Sequence, residues 1–282
     1  MANAQSALAD KEVTVQGTTV RFRCGGTRTP GAPLVLLEAG AGGGIDSWAT
    51  VPNAIAPFAR VCAYDRPGSG TSGAYPTGLK AIDHAAFLRA ALRAAKEPPP
   101  YVMTGHSFGG IVVSLYAMAF PADVRGIVFV DSSHEDQQAR MEPVAGPPPP
   151  KRVPLNPLPG VAPPPPPGLR MEDFFAELRK EPFRAEIPIV VLTATRPPRN
   201  NDPIEVALQP IFLEMHKDLA SRSTRSEHRL LPTSGHLVPR DDPQAIVDAV
   251  RKVLSWRYGR FRGRVDERLG EQFVNNLVPN TG

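Results

Sequence analysis

Ser107 has the surroundings that a catalytic serine requires. It stands between two glycines in the pattern Gly105-His106-Ser107-Phe108-Gly109, with a short apolar strand before the pattern and an apolar helix after it. This strand–turn–helix setting is typical of a nucleophile elbow. The glycines leave room for the strained turn, and the start of the helix favours negative charge. The pattern predicts that Ser107 is a nucleophile.

A serine hydroxyl reacts slowly unless a neighbouring base takes up its proton. His236 is the best candidate, because it follows the last predicted strand and Gly235 frees the backbone beside it. His84 and His216 fall inside predicted helices, His228 begins a strand, and His106 is predicted to point away from Ser107. We therefore expect His236 to be the general base.

The acid that orients the base has two candidates. Asp131 ends the strand after the elbow helix, and Asp202 lies in the loop after the next strand. Both satisfy the chain order Ser, Asp, His. Asp131 is preferred because a strand terminus holds a side chain more rigidly than a loop that contains two prolines.

The oxyanion of an acyl-transfer intermediate needs two main-chain N–H donors. The glycine-rich loop from Glu38 to Gly44 follows an early apolar strand and can bring an N–H close to a substrate. We expect the donors to be the amides of Ala41 and Phe108. The polar loop that begins with Asp65 and Arg66 is predicted to be braced by an ion pair between those two residues.

Strands and helices alternate along most of the chain, which predicts a doubly wound, mostly parallel α/β sheet with its site at the strands' carboxyl ends. The expected elements are listed in chain order: a hairpin around Gly17, strands 33–37 and 60–64, helices 47–56 and 81–95, the elbow, strands 126–131 and 187–194, helix 206–219, strand 228–232 and helix 243–256.

Proline dominates the segment from Gln137 to about Arg170, so irregular or polyproline structure is expected there, followed by a helix at 171–178. The segment is either a surface linker or a lid over Ser107. The predicted division is a core at 11–134 and 186–258, a proline-rich lid or cap at 135–185, and a tail at 259–282.

The composition is that of an ordinary soluble globular chain of 282 residues, with no apolar run long enough to span a membrane. Five arginines between 257 and 268 predict a solvated basic segment rather than a nucleic-acid site. Cys24 and Cys62 lack metal-binding spacing; buried free thiols are the expectation, with a disulfide as the alternative. The alanine-rich start leaves both a cytoplasmic location and export after removal of a signal peptide open.

The chain resembles the α/β-hydrolase superfamily of serine esterases and related hydrolases. Four ordered motifs carry this resemblance: Leu36 to Gly44, Asp65 to Ser72, Gly105 to Gly110, and Ser234 to Pro239. It implies the α/β-hydrolase fold, a triad of Ser107, His236 and an acid, and no cofactor or metal. Two positions depart from the family pattern, because Ala39 replaces a common histidine and Arg196 and Pro197 follow a strand where many members have an aspartate. The second departure favours Asp131 as the acid.

These features predict a serine hydrolase that cleaves small-molecule carboxylic esters through an acyl-enzyme, with no nucleic-acid partner. A serine at the turn disfavours the chemistry of members with an aspartate nucleophile. A lactonase, an amidase or peptidase, and a C–C hydrolase remain alternatives on the same scaffold. A non-catalytic member that binds a ligand, or a partner through the proline-rich segment, is a further alternative. The oligomeric state is left open.

Overall fold

The computed structural model describes residues 7–146, 170–181, 186–198, 200 and 202–256. Eight strands form one sheet in the order β1-β2-β4-β3-β5-β6-β7-β8. The strands are β1 Ala9–Val15, β2 Thr18–Gly25, β3 Leu34–Glu38, β4 Val61–Tyr64, β5 Tyr101–His106, β6 Val124–Val130, β7 Ile189–Ala194 and β8 Ser226–Leu231. β1, β2 and β4 pair antiparallel, and all later pairs are parallel.

Helices cover both faces of this sheet. They are α1 Val51–Ile55, α2 Asp83–Ala94, α3 Gly109–Ala119, α4 Gln137–Ala145, α5 Met171–Lys180, α6 Pro203–Ser221, α7 Val238–Asp241 and α8 Pro243–Ser255, with short 3-10 turns at Ile45–Trp48 and Pro121–Asp123. Alternate strand residues enter different cores. Leu34 and Leu36 pack with α2, α3 and α6, whereas Val35 and Leu37 pack with α1 and α8. The predicted doubly wound α/β sheet is confirmed.

The expected helix over 47–56 is wrong in one respect, because it is two pieces. A 3-10 turn ends at Trp48, and Ala49 adopts a left-handed φ of 47° that an α-helix cannot contain. α1 then begins at Val51, with Pro52 in its first turn, where a missing N–H has no cost. Residues on both sides of the break, Trp48 before it and Val51 after it, are buried in the second core.

Irregular structure was expected from Gln137 onward, and this is wrong for the first nine residues. They form α4, which contains Pro143 in its second half. Glutamine, alanine, methionine and glutamate favour helix, and a single late proline removes only one helical hydrogen bond. The expected helix at 171–178 is confirmed as α5, whose Phe174, Phe175 and Leu178 are buried against α3.

Several expectations fall on residues that the structure does not describe. The proline runs at 147–150 and 163–167, the basic segment and the tail at 259–282 lie outside the described ranges. The lid and the domain boundaries therefore stay predictions. Within the described ranges, every helix is too short or too polar to traverse a bilayer.

Cys24 and Cys62 form a disulfide, so the expectation of free thiols is wrong. The two residues are direct partners in the antiparallel pairing of β2 and β4. That register places their side chains on the same face of the sheet, which local sequence patterns cannot reveal. Both cysteines are buried in the first core.

The disulfide should contribute substantially to stability. It closes a loop over a separation of 38 residues, so the loop-entropy relation predicts a loss of about 4 kcal/mol in unfolding free energy for Cys24→Ala/Cys62→Ala. Urea unfolding of the wild type, with and without reductant, measures this. The double variant should be insensitive to reductant. Two free thiols in the unreduced, denatured wild type would contradict the pairing.

The buried His84 should make stability depend on pH. Burial, with the nearby Arg66 charge, lowers the pKa of His84 from 6.5 to about 3. The unfolded chain therefore takes up a proton below pH 6.5 and the folded chain does not, so this contribution is complete above pH 6.5 and is lost as the pH falls. At pH 5, His84 alone should cost about 2 kcal/mol.

Urea unfolding at pH 7 and pH 5 tests this in the wild type and in His84→Phe. Phenylalanine suits the site because His84 already packs against the rings of Tyr75 and Phe174. The variant should lose about 2 kcal/mol less than the wild type between the two pH values. An equal loss in both proteins would show that His84 is not held neutral.

Candidate active site

The turn at Ser107 is a strained elbow between β5 and α3. Ser107 has a φ of 52°, a left-handed value that non-glycine residues seldom adopt. A Cβ atom on Gly105 would lie 2.6 Å from the carbonyl oxygen of Gly109, and one on Gly109 would lie 2.1 Å from that of Glu38. Larger residues at these two positions would force β3, β5 and α3 apart. The elbow therefore presents Ser107 at the carboxyl edge of the sheet.

His236 lies directly beside the serine. Its Nε2 is 3.1 Å from the Ser107 Oγ, which is a hydrogen-bond distance. The imidazole is 56% exposed, so substrate and water can reach it. The histidine loop is held from behind, because the Gly235 N–H donates to the Asp241 carboxylate over 3.0 Å and Arg196 pairs with that carboxylate.

The structure brings Asp131, and not Asp202, to this histidine. The Asp131 Oδ2 lies 2.7 Å from His236 Nδ1, and its Oδ1 accepts the Ala194 N–H over 2.9 Å. Burial alone would raise the pKa of Asp131. The hydrogen bond with His236, the fields of His216 and His236, and the Ala194 N–H together hold it below its usual value. Asp131 is therefore a carboxylate at neutral pH.

Asp202 has a different structural role. It caps α6, where its Oδ1 accepts the N–H groups of Ile204 and Glu205 over 2.9 and 3.1 Å. Arg196 occupies the end of β7, where many family members carry their acid, and its side chain braces the histidine loop through Asp241. Their hydrogen-bond partners thus distinguish the two candidate acids, because Asp131 contacts His236 whereas Asp202 caps a helix.

The expected oxyanion donors have unoccupied N–H groups. Neither Ala41 nor Phe108 donates its main-chain N–H to an acceptor in the described part of the chain. Gly40 brings the glycine-rich loop against the elbow, because a Cβ there would lie 3.1 Å from the Ser107 Cβ. Phe108 precedes α3, so its N–H belongs to the open first turn of a helix. Both N–H groups are therefore available to donate hydrogen bonds to an anionic oxygen.

Arg66 fixes the glycine-rich loop, although not through the expected partner. Its guanidinium donates to the carbonyl oxygens of Ala39 and Gly40 and to the buried carboxylate of Glu38, which also accepts the Tyr64 hydroxyl. The predicted ion pair between Asp65 and Arg66 is therefore wrong.

Asp65 instead accepts the main-chain N–H of Ile45 over 2.8 Å and that of Thr71 over 3.3 Å. The two loop residues thus have separate tasks. Asp65 ties its own loop to the start of the 3-10 turn, and Arg66 ties it to the glycine-rich loop.

A buried chain of hydrogen bonds supports the backbone beside Asp131. His216 Nε2 lies 2.8 Å from the carbonyl oxygen of Ser132, and its Nδ1 lies 2.7 Å from the Thr193 hydroxyl. That hydroxyl lies 2.7 Å from His228 Nε2. Since a carbonyl only accepts, His216 must donate from Nε2, Thr193 must donate to Nδ1, and His228 must donate to Thr193.

Sequence reasoning missed this support. His216 lies inside a helix and Thr193 inside an apolar strand, so neither has a local pattern that distinguishes it from an ordinary core residue. Their proximity arises only from the packing of α6 against β7. The one available signal was that two polar residues, Thr193 and His216, lie on faces predicted to be buried. That signal does not show which groups they contact.

Two groups of side chains in the described residues have metal-ligand spacing, and each has other partners. One contains the paired cysteines and Glu97. The other contains His134, Glu135 and Asp218, where the Arg222 guanidinium donates to both carboxylates over 2.5 and 2.7 Å. An arginine thus supplies the positive charge in the second group.

Known proteins resemble this chain in sequence and in fold. Residues 33–153 match the family model described as alpha/beta hydrolase fold. The putative carbamate hydrolase RutD of Yersinia enterocolitica is 34% identical over 112 residues, which are 39% of this chain and 40% of that protein. A hydrolase from Pseudomonas aeruginosa PA01 has a TM-score of 0.61 at 20% identity, with coverage of 90% of this chain and 100% of that chain.

An esterase from Thermogutta terrifontis has a TM-score of 0.59 at 17% identity, with coverage of 88% of this chain and 97% of that chain. At such identities the two solved structures show a common fold and leave the substrate open. The chain spans about half or less of the length of the first curated relatives it matches. The matched residues, the structural neighbours and the sheet topology show that this chain has the α/β-hydrolase fold.

Proposed function

We propose that this chain is a serine hydrolase that cleaves carboxylic esters, with Ser107 as nucleophile, His236 as general base and Asp131 as the orienting acid. The observation that carries the proposal is the continuous series of contacts from the Ser107 Oγ to His236 Nε2, over 3.1 Å, and from His236 Nδ1 to Asp131, over 2.7 Å. Nucleophile, base and acid need this order and these distances.

The proposed reaction begins when Ser107 attacks the ester carbonyl and its proton passes to His236 Nε2. The main-chain N–H groups of Ala41 and Phe108 donate hydrogen bonds to the oxyanion that forms. Asp131 keeps the Nδ1 proton on His236 and stabilises the imidazolium. His236 then protonates the leaving alcohol, and a water activated by the same histidine releases the acid from Ser107.

The exposure of His236 suits the second half of this reaction. A base that is more than half exposed can bind the water that hydrolyses the acyl-enzyme without a large rearrangement. An esterase shares this fold at 17% identity, so the scaffold itself is compatible with ester hydrolysis.

Carbamates are the second candidate substrate class. A relative named as a putative carbamate hydrolase is 34% identical over 39% of the chain. The same triad can attack a carbamate carbonyl, but resonance with nitrogen makes that carbonyl less electrophilic. Rates on matched p-nitrophenyl esters and carbamates therefore separate the two classes.

Ser107 should react covalently with a fluorophosphonate probe. Phosphonylation should add one probe per chain and abolish ester hydrolysis, and mass spectrometry of a digest should locate the adduct on Ser107. Ser107→Ala should prevent labelling and lower kcat by about a millionfold. If the folded wild type is neither labelled nor active on p-nitrophenyl esters of any chain length, the chain is a binding member of its superfamily.

Asp131→Asn and Asp202→Asn form a matched pair for the acid. The first should lower kcat by about ten thousandfold, because an amide stabilises the wrong tautomer of His236. The second should leave kcat and stability nearly unchanged, since asparagine caps a helix as well as aspartate does. Steady-state kinetics on a p-nitrophenyl ester, with circular dichroism as a folding control, measure both. The reverse pattern would assign the acid to Asp202.

A further inference from the structure

His106, the residue just before the serine, has a defined position that the proposed reaction does not explain. It is the last residue of β5, and only 6% of it is exposed. Its ring lies edge-on to Trp48 at 6.4 Å and 5.0 Å from the ring of His236. A side chain at Gly40 would come within 3.2 Å of its Nδ1. The imidazole therefore has little freedom to turn.

The ring makes one directed contact, which reaches the base itself. His106 Nε2 lies 2.8 Å from the main-chain carbonyl oxygen of His236. A carbonyl oxygen only accepts, so His106 carries its proton on Nε2 and donates it there. The contact joins residues that are 130 positions apart in the chain.

His236 is thus held at three points. Asp131 contacts its Nδ1 and Ser107 contacts its Nε2, but both contacts act on the side chain. The brace from Asp241 acts one residue earlier, on Gly235. His106 alone among these holds the main chain of His236, and it does so from the residue next to the nucleophile.

We propose that His106 is a positioning residue, which sets the distance between Ser107 and the backbone of His236 through its hydrogen bond to the His236 carbonyl. This inference rests on the proposed function, because it assigns His106 a part in the reaction of that triad. Two consecutive residues, His106 at the end of β5 and Ser107 just after it, then supply the clamp on the base and the nucleophile.

The neutral form of His106 suits this task. Burial lowers its pKa to about 4, despite the opposing effect of the hydrogen bond to His236. A positive charge 5.0 Å away would oppose the imidazolium that His236 must become. Trp48 and Gly40 bring no charge to this ring, and the titratable groups that act on it are His236 and Asp131. A neutral donor at His106 therefore adds no charge beside the base.

A pair of substitutions separates the hydrogen bond from simple packing. His106→Gln retains a donor at the end of a side chain of similar length, whereas His106→Met fills the space without one. We expect His106→Met to lower kcat on a p-nitrophenyl ester about ten- to a hundredfold, with KM changed less than about threefold. His106→Gln should recover most of that loss.

A double-mutant cycle shows whether His106 acts through the base. In a His236→Ala background, His106→Met should cause no further loss in the slow rate of fluorophosphonate labelling, because the base that it positions is absent. An undiminished effect in that background would overturn the proposal, as would equal activities of His106→Met and His106→Gln in the presence of His236. Circular dichroism melting monitors folding, and His106→Phe serves as the donor-free variant if His106→Met does not fold.

The wild type distinguishes this inference from the proposed function. An unlabelled, inactive wild type would reject the hydrolase itself, and the positioning role with it. A labelled, active wild type whose His106→Met variant has the same kcat and labelling rate would reject the positioning role alone.

Discussion

The site depends on how the main chain of one strained residue is held. Ser107 adopts a φ of 52° and still has hydrogen-bond partners for its N–H and carbonyl groups. Its N–H donates to the Val130 carbonyl over 3.1 Å, and its carbonyl accepts from Ser133 and Gly110. The first two of these partners flank Asp131 at the end of β6. The hydrogen bonds that stabilise the strained turn therefore also fix Ser107 relative to the carboxylate of Asp131.

The carboxylate is held in the same way by the next strand. The Asp131 N–H donates to the Leu192 carbonyl over 2.8 Å, and its Oδ1 accepts from Ala194, also in β7. Each strand end thus holds the residue that follows the preceding strand. The end of β6 holds Ser107, which follows β5, and the end of β7 holds Asp131, which follows β6. The residues that follow β7 are held in turn by β8 and the loop after it, because the Thr195 N–H donates to the Leu231 carbonyl and the Arg196 N–H donates to that of Ser234. Arg196 lies just after β7, where many members of the family carry their acid. Its side chain pairs with Asp241 and so stabilises the loop that carries His236 rather than the His236 ring itself.

Short sequence patterns were sufficient to predict the features that depend on neighbouring residues. The elbow, the hairpin at Gly17, the order of strands and helices, and the loop that carries His236 all follow from glycines, apolar runs and turn residues within short windows. Asp131 was preferred to Asp202 because a strand end is rigid, and the structure places Asp131 beside His236. The same argument could not show that Asp202 caps α6, since the start of that helix was predicted at Val206 and not at Pro203.

The remaining features depend on contacts between distant residues. The disulfide follows from the β2–β4 register, the partner of Arg66 is 28 residues away, and His106 meets a loop 130 residues later. A histidine beside a nucleophile has no pattern that predicts what its ring touches. These contacts follow from the sheet order, and a chain read in short windows contains no information on that order.

The buried pair of Glu38 and Arg66 shows why such a distant contact matters to the chemistry. Arg66 donates to two carbonyl oxygens of the glycine-rich loop, and this places a cation inside the protein beside the elbow, 5.6 Å from the centre of the Phe108 ring. Alone, that charge would be costly to bury and would oppose the formation of an imidazolium at His236. The buried Glu38 carboxylate pairs with it and offsets part of this charge. The glycine-rich loop is thus held by a cation whose own charge is paired, and Asp131 remains the carboxylate in contact with His236.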